Sequence, residues 1–143
     1  METVLILDFG AQYSQLIARR VREQNVYCEV KPCSISPAEI EKIAPIGIIL
    51  SGGPQSVYES VSPHVDPALF ALGIPVLGIC YGCQLMAYSL GGTVAAATEA
   101  TAREYGKTLT EFDTDCSIFQ GLPASSVTWM SHGDYISQVP DGF

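Results

Sequence analysis

The strongest constraint on the fold is an alternation of short apolar runs with segments of helical spacing. Val4 to Leu7 is an apolar run closed by Asp8-Phe9-Gly10. Tyr13, Leu16, Ile17 and Val21 then fall at i, i+3, i+4 and i+8, which is helical spacing, with Arg19, Arg22 and Glu23 on other faces. A second short strand is expected around Val26 to Val30. Ser36-Pro37-Ala38-Glu39 reads as a helix start: Ser36 can cap, Pro37 presets φ, and Glu39 can reach back as in a capping box. Ile40, Ile43 and Ala44 supply that helix's buried stripe, and Pro45 stops it. Ile46 to Leu50 is a continuous aliphatic run, expected to be buried on both faces and ended by Ser51-Gly52-Gly53-Pro54. Asp66-Pro67 opens a short helix that Gly73 closes. Ile74 to Ile79 is a fourth run, and Tyr81 to Leu90 reads as a helix closed by Gly91-Gly92. Such alternation predicts βαβ units around a mostly parallel sheet flanked by helices, an α/β fold. Beyond Gly92 the character changes. Lys107 to Phe112 and Val127 to Met130 read as strands, expected to be antiparallel additions at a sheet edge.

Composition excludes several function classes. The chain has 143 residues, and a chain of that length can bury about two-thirds of its unfolded surface. Apolar residues make up 48%, too many for a chain disordered by low hydrophobicity. The formal charge is -8, which disfavours nucleic acid and anionic membrane surfaces as partners. No apolar run approaches the ~20 residues that span a bilayer. Met1-Glu2-Thr3-Val4 is acidic and enters a strand at once, unlike a signal peptide. Five cysteines without such a signal read as reduced thiols in a cytoplasmic protein. The chain stops at Asp141-Gly142-Phe143 with no terminal helix, which reads as a cut.

The sharpest motif is Gly78-Ile79-Cys80-Tyr81-Gly82, between a strand and a helix. With serine in place of cysteine this is the G-x-S-x-G nucleophile elbow. Its glycines are needed because side chains there would clash with the neighbouring strand and helix. Cys80 would then project at the C-terminal edge of the sheet, above a helix N-terminus that favours negative charge. A buried structural cysteine is the plainer reading, but strand, double-glycine turn and helix together favour catalysis. Cys80-Tyr81-Gly82-Cys83 is also C-x-x-C at a helix start. Four strands precede it, whereas a thioredoxin-like motif comes early in its βαβ unit. Cys28, Cys33, Cys80 and Cys83 lack the paired spacing and nearby histidine of a zinc site, so no metal is expected.

A thiolate attacking a carbonyl needs N–H donors for the oxyanion. Tyr81, the residue after the nucleophile, can supply one. Ser51-Gly52-Gly53-Pro54, after a neighbouring strand, can supply another; alone it would be an ordinary tight turn, and it lacks the Lys-Ser/Thr ending of a P-loop. Asp8-Phe9-Gly10 matches the kinase tripeptide in letters but has no kinase companions, so it reads as a strand-ending turn. A general base is also needed. His64 sits in a surface loop by composition. From spacing alone His132, in the polar turn Trp129-Met130-Ser131-His132-Gly133-Asp134, is the only downstream candidate.

These residues together resemble a class I glutamine amidotransferase. The matching segments are Ile6 to Tyr13, Ala18 to Glu23, Ile48 to Pro54, Gly78 to Gly82, Arg103-Glu104-Tyr105-Gly106 and Trp129 to Asp134, in order along the whole chain. The last two are similar to the GMP synthase branch of that family. The resemblance implies a doubly wound, flavodoxin-like sheet with antiparallel additions. It implies that Cys80 attacks the glutamine side-chain amide and forms a thioester, with Gly53 and Tyr81 as oxyanion donors. Gln84, Ser131, His132 and Gly133 would hold the glutamine. The ammonia would serve ATP-dependent amination of XMP to GMP, a carbon–nitrogen ligase reaction with ATP and Mg in a synthetase portion, either fused or separate. Assembly of the whole enzyme as a homodimer is left open. Two departures stand out. Cys83 occupies a position that is usually Met or another apolar residue in the family. The family's His-Pro-Glu segment has no match here, and His132 belongs to its substrate turn, so His132 drops out as the base. Residues 1–143 are therefore expected to be an amidotransferase domain lacking its C-terminal part. The alternatives are a glutaminase of an anthranilate or carbamoyl phosphate synthase, or a catalytically incomplete binding module.

Overall fold

A computed structural model of the chain describes residues 2–96 and 104–143. The elements are β1 (Thr3–Asp8), α1 (Ser14–Glu23), β2 (Tyr27–Pro32), α2 (Pro37–Ile43), β3 (Gly47–Leu50), β4 (Val76–Gly78), α3 (Tyr81–Ser89), β5 (Thr93–Ala96), β6 (Glu104–Glu111), β7 (Ser125–His132) and β8 (Asp134–Gln138). Single 3-10 turns lie at Pro67–Ala71 and Ser117–Phe119. The described chain falls into two compact units, residues 1–94 with 136–143, and residues 95–135.

The first unit is built on a parallel sheet of order β2-β1-β3-β4. Alternation along β1 sends Leu5 and Leu7 to one face and Ile6 to the other. Leu5 and Leu7 join Ile48, Leu50, Ile40 of α2, and Tyr81 and Leu85 of α3 in one core. Ile6 joins Cys28 and Ala18 of α1 in a second core. Helices thus cover both faces, and the expected α/β, mostly parallel, doubly wound architecture is what the chain adopts. The start of α2 is the expected capping box: the Glu39 N–H donates to the Ser36 hydroxyl, and the Ser36 N–H donates to the Glu39 carboxylate at 3.0 Å. Those Ser36 contacts hold the Glu39 carboxyl below the usual carboxylate value. Ala44 closes α2 in the left-handed region, at φ 49°.

Several local readings change. In α1 the buried residue facing the sheet is Ala18, while Tyr13 and Leu16 are 65% and 46% exposed. A small residue lets the helix approach the strands closely, and the larger side chains at Ile17 and Val21 flank that contact. β3 is sealed on one face only. Ile48 and Leu50 are buried, but Ile49 lines an open apolar groove of about 450 Å³ with Leu16, Ile17, Val21 and Ile79. Among the described residues, α1 alone packs on that face. The run from Ile74 to Ile79 yields a strand of three residues, because Pro75 has no N–H to donate and Gly78 begins the turn. The short helix after Asp66 is a 3-10 turn, capped by the Asp66 carboxylate accepting from the Ala68 N–H at 2.9 Å.

In the second unit β6 and β7 pair antiparallel over their whole length, with Leu109 opposite Val127 and Thr108 opposite Thr128. The strands predicted beyond Gly92 are therefore real, but they do not extend the parallel sheet. β6–β7 and β5–β8 are separate two-stranded sheets. Tyr105, Leu109, Val127 and Trp129 are exposed on one face of the β6–β7 ribbon.

Candidate active site

β1, β3 and β4 run parallel, so their C-terminal ends share one edge of the sheet. The loops leaving that edge carry Phe9-Gly10, Ser51-Gly52-Gly53 and Ile79-Cys80. In doubly wound sheets this is where ligands bind.

β4 ends at Gly78, the chain turns through Ile79, and α3 opens at Tyr81 with Cys80 as its N-cap. Cys80 stands at φ 53° and ψ -114°, a conformation that L-residues rarely adopt. The neighbours enforce it. A Cβ on Gly78 would lie 2.5 Å from the Cys83 Cα, and one on Gly82 would lie 2.6 Å from the Leu50 Cβ. The Gly82 N–H donates to the Ser51 carbonyl at 3.1 Å, and the Ile79 N–H donates to the Leu50 carbonyl at 3.0 Å. The elbow is thus bolted to the end of β3, and the Cys80 thiol is left exposed.

The Gly-Gly loop lies beside it. A Cβ on Gly52 would sit 3.6 Å from the Cys80 Cβ. Gly53 is wedged between two aromatic residues: its Cβ would lie 3.2 Å from the Phe9 carbonyl and 3.3 Å from the Tyr81 ring. Those rings pack with centroids 5.4 Å apart, and the Tyr81 hydroxyl donates to the Pro63 carbonyl at 2.6 Å. Burial pushes the Tyr81 phenol above its ordinary value. The Tyr81 N–H is in the first turn of α3, where helix geometry supplies no acceptor. Among the described residues, the Gly53 N–H has no protein acceptor either.

The structure therefore brings Cys80, Gly53, Tyr81 and Gln84 together in the first unit, with Gln84 buried one turn into α3. Ser131, His132 and Gly133 lie in the second unit. The predicted polar turn there is mostly strand: Trp129 to His132 belong to β7, because they pair with Lys107, Gly106, Tyr105 and Glu104 of β6. Only Gly133 interrupts, before β8, with room for a Cβ 3.6 Å from the Tyr105 hydroxyl. Arg103 lies outside the described residues, and the other members of its motif, Glu104, Tyr105 and Gly106, open β6. His64 is exposed in the loop between β3 and β4, as its composition suggested. No His, Cys, Asp and Glu cluster fit for a metal occurs among the described residues.

The side-chain bonds of two residues at the site were not read from the sequence. Ser51 is fully buried; its hydroxyl accepts from the Phe9 N–H at 3.2 Å and donates to the Gly52 carbonyl at 3.1 Å. With its carbonyl on Gly82, it ties together all three loops of the site. A polar residue directly after a buried strand was the available signal. Asp8 ends β1 and its carboxylate accepts from the Gly10 N–H at 2.9 Å and the Ser14 hydroxyl at 2.7 Å. Asp8-Phe9-Gly10 is thus the expected strand-ending turn, with Gly10 at φ 87°. Replacing Ser51 by alanine leaves the buried Phe9 N–H without its acceptor, a loss of about 1–3 kcal/mol. Urea unfolding should show a lower midpoint with an unchanged slope; an unchanged midpoint would mean that Ser51 ties nothing.

A family model described as Glutamine amidotransferase class-I matches residues 5–143. The GMP synthase [glutamine-hydrolyzing] of Natranaerobius thermophilus is 55% identical over 142 residues, 99% of this chain and 27% of that protein. The GMP synthase [glutamine-hydrolyzing] of Caldanaerobacter subterraneus subsp. tengcongensis is 56% identical with the same coverage. The chain therefore spans about 27% of the length of the curated relatives it matches. Among solved structures, a protein from Thermoplasma acidophilum assigned to GMP synthase superposes with a TM-score of 0.79 at 29% identity, over 99% of this chain and 69% of that one. A glutamine amidotransferase from Thermotoga maritima, at 23% identity and a TM-score of 0.72, covers 96% of this chain and 63% of its own and shares the fold.

Proposed function

The chain belongs to the class I glutamine amidotransferase family, and from that premise we propose that Cys80 is the nucleophile of glutamine hydrolysis. The thiolate attacks the carbon of the side-chain amide and a C–S bond forms. The amide oxygen takes the negative charge and accepts from the Gly53 and Tyr81 N–H groups, which need no reorganisation to reach it. The C–N bond then breaks, nitrogen leaves with an added proton as ammonia, and water cleaves the thioester to glutamate. Gln84 and the Ser131-His132-Gly133 segment hold the substrate. One observation carries this reading: an exposed cysteine, forced to a positive φ between two glycines that tolerate no Cβ, beside a glycine loop whose Gly53 N–H has no protein acceptor among the described residues.

The ammonia serves a GMP synthase, in which an ATP- and Mg-dependent synthetase portion aminates XMP in the cytoplasm. The support is 55–56% identity to proteins of that name, which favours this branch over the anthranilate and carbamoyl phosphate synthases. No helix among the described residues is long and apolar enough to cross a membrane. The proton-transferring histidine and its glutamate come from outside residues 1–143, in the remainder that these longer relatives carry.

An electrophilic glutamine analogue tests the assignment. It should alkylate Cys80 and spare Cys83, whose thiol burial pushes above the ordinary value, with the nearby Cys80 adding to the effect. Free glutamine should protect. Modification of Cys83 first, or no protection, would overturn the reading.

A further inference from the structure

We propose that Cys83 is a resolving thiol for Cys80, so that a hydroperoxide converts the pair to a reversible disulfide instead of destroying the nucleophile; this rests on the reading of Cys80 as the reactive thiol. Cys83 is not among the residues assigned to glutamine hydrolysis, and it stands where the family usually carries an apolar side chain. The chain places it at N3 of α3, with Cys80 as the N-cap. N-cap and N3 are the two positions that a capping box joins, each side chain there being close enough to reach the other residue's backbone N–H. Three residues on a helix start separate their Cα atoms by about 5 Å, inside the window of about 4.4–6.8 Å that a disulfide requires. The Cys83 backbone is held in place, since the bare Gly78 Cα leaves room for nothing else against it.

Exposure divides the roles. Cys80 is exposed and meets a dissolved oxidant, while Cys83 is half-buried beside it. Burial, with the nearby Cys80 adding to the effect, pushes the Cys83 thiol above its ordinary value, which lowers its own reactivity toward a dissolved oxidant. The other three thiols are placed differently. Cys28 is buried and donates to the Ala18 carbonyl at 3.4 Å, Cys33 follows β2, and Cys116 is in the second unit.

The chemistry closes in two steps. The Cys80 thiolate attacks one peroxide oxygen; an S–O bond forms, the O–O bond breaks, and hydroxide leaves and is protonated to water. The Cys83 sulfur then attacks the sulfenic sulfur; the S–S bond forms, the S–O bond breaks, and the departing hydroxyl takes the Cys83 proton as a second water. Two thiols lose two electrons and the peroxide gains them. The disulfide has no thiolate to attack glutamine, and a dithiol reductant restores it.

The test uses the 143-residue chain. It is treated with hydrogen peroxide, its remaining thiols are capped with a maleimide, and the digest is mapped by mass spectrometry. The expected result is a Cys80–Cys83 link, with Cys28, Cys33 and Cys116 capped and both linked thiols recovered after dithiothreitol. In Cys83→Ala, Cys80 should proceed to sulfinic acid, which dithiothreitol does not reverse. Sulfinic acid at Cys80 beside a capped Cys83 in the unsubstituted chain would overturn the proposal. Labelling of the reduced chain by the glutamine analogue separates the two readings. Label on Cys80 with no link after peroxide overturns the disulfide alone; a link without protectable labelling overturns the assignment of Cys80 as the glutaminase nucleophile.

Discussion

If Cys80 has its proposed role, Cys80→Gly should abolish glutamine hydrolysis and at the same time leave the chain more stable than Cys80→Ala. The loss of activity would follow from removing the proposed nucleophile, which in hydrolases of comparable design lowers turnover by on the order of 10⁴-fold or more. It should be measured as ammonia release from the chain extended through the remainder that its longer relatives carry. The gain in stability has a separate origin. Cys80 holds φ 53° with ψ -114°. A side chain in so sparsely populated a region costs about 1–3 kcal/mol, and the alanine variant keeps that strain. Glycine relieves it, less the about 0.5–1 kcal/mol of extra freedom glycine has when unfolded. Urea unfolding of the two variants should therefore differ by about 1 kcal/mol in favour of glycine. Equal stabilities would show that the elbow is not strained at Cys80.

The second large effect is at Gly82. An alanine Cβ there would lie 2.6 Å from the Leu50 Cβ and 2.7 Å from its carbonyl carbon, both part of β3 in the centre of the sheet. Backbone in a central strand cannot move aside as a flexible side chain can. Gly82→Ala should lose at least about 3 kcal/mol, the upper end of overpacking costs, and Gly82→Val should leave the chain unable to fold. Gly10→Ala is the control. It meets no atom within 4 Å but stands at φ 87°, so only the backbone conformation is penalised, by about 1–2 kcal/mol. If both alanine variants unfold at the same urea concentration, the close approach of α3 to β3 is not what demands glycine.

Much of the first unit was legible because its signals are local. The capping box at Ser36 and Glu39, the stop at Pro45 and the elbow around Cys80 each depend on residues a few positions apart, and each formed as read. Burial was less legible. Tyr13 and Leu16 fall on a helical stripe with Ile17 and Val21, yet Ala18 takes the buried place because closeness of approach, not hydrophobicity, decided the contact. Ile46 to Leu50 read as buried on both faces, since a run of aliphatic residues does not say how many layers cover it. The structure supplies full cover to Ile48 and Leu50 and leaves Ile49 in an open groove.

The sequence by itself marked most of the strand and helix segments in residues 1–92, the helix read after Asp66 being a single 3-10 turn, and it marked Cys80 and Gly52-Gly53 as the places where chemistry was possible. Periodicity, caps and double glycines act through neighbours in the chain, so they can be read without a fold. The tertiary structure alone decided which residue demands glycine at position 82: it is Leu50, thirty-two residues earlier in the sequence. It also decided that Ser51 joins three loops, and that β6 and β7 pair with each other instead of extending the parallel sheet. Strand pairing and close packing join residues distant in sequence. Their energies depend on which surfaces meet, and a pattern of apolar and polar letters is compatible with more than one such meeting.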